Sequence, residues 1–81
     1  MTMTEHVVIK PTRHIMNLCR EMFERRAKYG ADYPKDWRAA SRKKLEAAGY
    51  VRQTSEDPKY GPMFYFTDAG LKWYLQHADK R

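Results

Sequence analysis

The chain has 81 residues, 42% of them hydrophobic, and its sixteen Lys and Arg against ten Asp and Glu leave a formal net charge of +6. That length supports one domain with one small core and leaves no cleft between domains for a small-molecule substrate, while the positive surplus favours a polyanionic partner. No apolar run approaches the roughly 20 residues of a membrane span, MTMTEHVVIK lacks the apolar segment of a cleavable signal, and a single cysteine, Cys19, suits a reducing cytoplasm.

Residues 1–10 are expected to form an N-terminal arm, in which His6-Val7-Val8-Ile9-Lys10 suits an edge strand or a loose arm equally. Thr12 offers a side-chain cap, and Ile15, Leu18, Cys19, Met22, Phe23 and Ala27 recur at helical spacing. The first helix is therefore expected over 12–30, ending at Gly30. Its other face mixes signs, with Glu21 to Arg25 and Glu24 to Lys28 in the favourable order four residues apart. Pro34 fits the first turn of a helix and Asp32 or Asp36 offers a cap, which predicts a second helix over 34–48. On it Trp37, Ser41, Leu45 and Ala48 make a narrow inward stripe. Lys35, Arg38, Arg42 and Lys43 lie off that stripe and give a cationic outer face, with Lys44 close to the buried side.

Gly49 supplies the left-handed residue that stops this helix. Tyr50 then enters a hairpin over 50–67, with Val51, Phe64 and Phe66 turned inward and Ser55 to Pro62 forming an exposed loop. Thr67-Asp68-Ala69-Gly70 caps a final helix over 68–78, where Leu71, Tyr74, Leu75 and Ala78 face the core and Trp73 sits at its margin. The tail Asp79-Lys80-Arg81 is expected to be free.

The order LEAAGYV, a short polar loop with Pro and Gly, then FYFTDAGLKWYL resembles the C-terminal half of a winged helix-turn-helix domain of the MarR and PadR regulator families. In those families a glycine-ended recognition helix runs into a wing, and a threonine-acid-x-glycine step opens the next helix. The resemblance covers roughly the second half of the chain. It implies a small α+β winged helix, three helices with a two- or three-stranded β wing, that binds double-stranded DNA. The families carry a further short helix before the recognition helix, and only Lys28 to Tyr33 remains here to form it.

No catalytic constellation is legible. His6, His14 and His77 share no metal-ligand spacing with Cys19, and Cys19 falls in the apolar stripe as a core residue. No Ser-His-Asp set and no glycine-rich phosphate loop occurs. A non-enzymatic protein without cofactor or metal is therefore expected.

The leading expectation is a double-stranded DNA-binding protein, a small transcriptional regulator or a phage or mobile-element factor. The basic helix enters the major groove, where Arg38 and Arg42 reach guanine edges while Lys35, Lys43 and Lys59 meet phosphates. Arg52 joins Lys59 on the wing, beside the carboxylates Glu56 and Asp57. This reading requires the cations of the helix to face outward together. The acidic wing motivates an alternative, a protein-interaction module such as a phage-type inhibitor of a host nucleic-acid-handling complex, with Tyr29, Tyr33, Tyr60, Tyr65 and Trp73 as interface aromatics. A third reading has the exposed aromatics binding single strands. A homodimer through the first or final helix, using Trp73 and His77, is also open.

Overall fold

The computed structural model describes residues 9–78. The expected arm over 1–10 and the tail over 79–81 fall largely or wholly outside those residues; Ile9 and Lys10 are not in a strand. Three helices pack with one three-stranded antiparallel sheet in the order α1 (Arg13–Tyr29), β1 (Tyr33–Pro34), α2 (Ala39–Ala47), β2 (Val51–Asp57), β3 (Gly61–Phe66) and α3 (Asp68–Ala78). The strand order in the sheet is β1-β3-β2. This is a small α+β fold whose layout is compatible with a winged helix.

The first helix forms where the apolar spacing demands it. The Thr12 hydroxyl accepts a hydrogen bond from the Ile15 amide, and Gly30, at φ 67°, closes the far end in the left-handed conformation that glycine adopts at no steric cost. Ile15, Leu18, Cys19 and Met22 are buried along one face. Ala27 lies outside that stripe and is exposed.

The second helix is shorter than its sequence suggests. Tyr33 and Pro34 pair with Phe64 and Met63 of β3 as an edge strand. The residue before a proline avoids helical dihedrals, and proline at a sheet edge loses nothing by lacking an N–H. Residues 35–38 then turn, Arg38 takes a left-handed φ of 48°, and the helix starts only at Ala39. Its exit is a Schellman cap: the Tyr50 amide donates to the Leu45 carbonyl and the Gly49 amide to the Glu46 carbonyl, both at 2.9 Å, with Gly49 at φ 81°.

The hairpin is longer and its loop tighter than the composition suggests. Strand pairing runs out to Asp57 and Gly61, so only Pro58, Lys59 and Tyr60 turn the chain. Asp57 Oδ2 accepts from the amides of Lys59 and Tyr60 at 2.8 and 3.0 Å, the asparaginyl-type bonding that lets an aspartate stand in for backbone. The register slips between Gln53 and Ser55, leaving Thr54 in a bulge where its hydroxyl meets the Asp32 carboxylate.

Val51, Phe64 and Phe66 are buried as expected, but Met63 and Tyr65 are buried too. The Arg26 guanidinium lies 3.5 Å from the Tyr65 ring centroid and covers that side of β3, so alternation fades. The core joins Leu18, Met22, Leu45, Val51, Phe64, Phe66 and Tyr74 with their neighbours. In α3 Tyr74 is buried and stacks on Phe66 with centroids 5.4 Å apart, whereas Leu75 is exposed rather than facing the core. Gly70 is also buried, pressed against the backbone of Tyr50.

Candidate nucleic-acid interface

Because α2 starts at Ala39, its inward residues are Arg42 and Leu45. The exposed residues on its other side are Ala40, Lys43, Lys44 and Ala47, two alanines and two lysines. A face of that kind lets a helix backbone come close to a surface while the lysines reach out beside it.

Arg42 is not on that face. It is 7% exposed; its guanidinium lies over the Phe64 ring at 4.3 Å, bonds the Glu46 carboxylate one turn on and donates to the Lys35 carbonyl at 3.1 Å. The expected outward, guanine-reading Arg42 is thereby corrected: the residue is a buried tie between α2 and the turn before it. Three residues before Leu45, it shares that leucine's side of the helix.

Arg38 is exposed but engaged. Its Nε and second terminal nitrogen donate to the two carboxylate oxygens of Glu21 on α1, each at 3.0 Å, and the Tyr33 hydroxyl donates to the same carboxylate at 2.6 Å. The Arg38 hydrogen bond holds the Glu21 carboxyl below its usual range, and Glu21 in turn holds the guanidinium charged. Burial, and then the bond to Glu21, push the Tyr33 phenol up. Glu21 is therefore not paired with Arg25 on its own helix, as spacing suggests. Arg25 instead donates to the Asp32 carbonyl at 2.8 Å.

Lys35 pairs with its exposed neighbour Asp36 at 3.1 Å, an interaction that solvent screens heavily. Lys43, Arg52 and Lys59 are exposed. Among the described residues no ion pair includes them or Lys44, and Lys44, expected to lie against the buried side, is exposed as well. Of the two wing carboxylates, Asp57 is occupied by the turn amides, while Glu56 is exposed.

Two features were not foreseen from spacing. A shallow depression joins the start of α1 to the start of α2 and is lined by Thr12, His14, Arg38, Ala40, Ser41 and Lys44. No side chain caps α2, so its first N–H groups add the positive end of the helix dipole to these cations. The second is an aromatic group around Trp37, which was expected in the core and is 40% exposed. Tyr33 and Tyr60 meet its ring edge-on at 5.4 and 6.0 Å, and the Arg25 guanidinium lies 4.8 Å from its centroid. The turn over 35–38 and the left-handed Arg38 separate Trp37 from the helix that carries Leu45, and the extended bias of a residue before proline at Tyr33 was the one hint of it in the sequence.

The other ring cluster lies on α3, where Trp73 stacks on Tyr50 at 5.3 Å and His77 Nδ1 donates to the Trp73 carbonyl at 2.8 Å. These groups are half-buried within the chain. Among the described residues no cluster of three or more His, Cys, Asp and Glu is arranged to hold a metal, and no helix is long and apolar enough to cross a membrane. Comparison with family models, with curated proteins and with solved structures finds no match to the chain.

Proposed function

We propose that the protein is a non-enzymatic winged-helix module that binds double-stranded DNA chiefly through its phosphates, as a small regulator or a mobile-element DNA-binding factor. The observation that carries this reading is the outer face of α2, where Ala40, Lys43, Lys44 and Ala47 are exposed together along a helix whose start is uncapped and which leads without a linker into the hairpin. Short side chains admit a duplex close to the helix, and lysines meet phosphates as point charges without demanding a base sequence. Arg52 and Lys59 are exposed on the hairpin and add positive charge there.

Base reading by an Arg38 and Arg42 pair has no place in this proposal, since Arg42 is internal. Arg38 contributes charge at the edge of the α2 start while held by Glu21. Affinity then comes from counterion release, and the dependence on sequence is shallow.

Salt titration of binding to a random duplex pool tests the reading. The logarithm of affinity should fall against the logarithm of salt with a slope of about 0.9 per phosphate neutralised, and Lys43→Ala and Lys44→Ala should each flatten that slope by about one contact while weakening all sequences alike. Absence of duplex binding at low ionic strength rejects it in favour of the protein-interaction reading, for which the exposed Tyr29 and Trp37 are the supporting observation.

A further inference from the structure

We propose that Trp37 and Tyr60 form a stacking platform for unpaired bases, so that a single strand running off the duplex is held beside it; the placement of that strand rests on the duplex reading above. The two rings stand on the two elements that flank the proposed duplex surface. Trp37 lies in the turn that feeds α2, directly before Arg38, and Tyr60 lies in the hairpin turn, directly after Lys59. They are 40% and 38% exposed, with centroids 6.0 Å apart and planes at 73°.

The rings are positioned from within the fold. Tyr33 is 2% exposed, its hydroxyl is fixed on Glu21, and its ring stands nearly perpendicular to Trp37 with centroids 5.4 Å apart. The Tyr60 amide is bonded to Asp57. Cations accompany both rings: Arg25 lies 4.8 Å from the Trp37 centroid and 5.9 Å from that of Tyr60, and the Lys59 ammonium is 5.5 Å from Tyr60. Among the neighbouring acids, Glu21 is occupied by Arg38 and Tyr33 and Asp57 by the turn amides, while Asp36 beside Lys35 and Glu24 are exposed. Exposed rings beside cations are what an unpaired strand requires, because every base has a face to stack and every nucleotide a phosphate to neutralise. A protein partner uses the same residue types but would need acids to match Arg25 and Lys59, and it is one outcome of the test.

The chain has two tryptophans, so Trp73→Phe leaves Trp37 as the sole reporter. That variant is titrated with a blunt random duplex, the same duplex carrying a single-stranded extension, and the single strand alone. The extended duplex should quench Trp37 and bind about tenfold more tightly than the blunt one, the size expected for stacking of one or two bases. Labelled-DNA anisotropy with Tyr60→Ala and with Trp37→Leu should lose that tenfold and keep the affinity for the blunt duplex, with thermal unfolding confirming that each variant is folded. Quenching by the single strand alone, without duplex binding, upholds the platform and removes the duplex reading. Equal binding of blunt and extended duplex without quenching overturns the platform and leaves the duplex reading standing. No quenching and no binding by any probe overturns both and points to a protein partner.

Discussion

Arg38 and Glu21, seventeen residues apart, meet side-on through two hydrogen bonds of 3.0 Å that tie the turn before α2 to α1. Their pairing gives the fold an acid sensitivity. Because Arg38 holds the folded carboxyl of Glu21 below its ordinary 4.5, the stability it adds is present above that value and is lost as pH falls through the lower, folded value. Denaturant unfolding at pH 7 and at successively lower pH should show the loss, and Glu21→Gln should flatten it. An unchanged pH dependence in that variant would sink the assignment.

Arg42 makes a different prediction. Arg42→Ala leaves the Lys35 carbonyl without its donor, strands Glu46 and opens space over Phe64, and should cost about 2 kcal/mol, or roughly 10 °C in Tm for a domain of this size. Arg42→Met fills the space and should recover part of that loss. If duplex affinity of the folded Met variant fell as far as that of Lys43→Ala, Arg42 would have to reach DNA after all.

Gly70 tolerates no side chain. A Cβ there would fall within 2.6 Å of the Tyr50 carbonyl carbon and closer still to its oxygen, and both are backbone. Gly70→Ala should therefore destabilise by more than about 3 kcal/mol, whereas the same change at a solvent-facing helical glycine would stabilise. Thermal melts by circular dichroism decide between the two.

Cys19 should be silent in the native state. Burial pushes its thiol from 9.0 up to about 12, so the thiolate that reacts with disulfide reagents is scarce at pH 8. Reaction should appear only with unfolding. Its contribution to stability is complete below pH 9 and is lost as pH rises toward 12, because the unfolded thiol ionises first. Prompt labelling of the folded protein would contradict the burial.

Much of the architecture was readable from residue order. The Thr12 cap, the Ile15 to Met22 stripe, Gly30, Gly49 and the span of α3 follow from local rules of spacing and capping. The stretch Tyr33 to Arg38 was not, because Pro34 suits a helical first turn and an edge strand equally, and only pairing with Phe64 and Met63 decides. That ambiguity misplaced Trp37: a helix carried back to Pro34 puts it on the stripe with Leu45, whereas in the structure it lies in the turn before α2 and is exposed. Arg42, three residues before Leu45, shares its side wherever the helix begins, and its cationic side chain rather than its spacing suggested the outer face. Lys35 and Lys43 are exposed in the structure, as their distance from the apolar stripe suggested, and Arg52 and Lys59 are exposed on the hairpin.

The Tyr50 carbonyl accepts the Thr67 amide at 2.9 Å and rests on Gly70, while the Tyr50 amide closes the end of α2. One residue thus fastens the exit of α2, the root of the hairpin and the entry of α3 at a single rivet. Any partner that grips both α2 and the hairpin meets a wedge of preset shape, so little of its binding energy is spent on freezing motion between them.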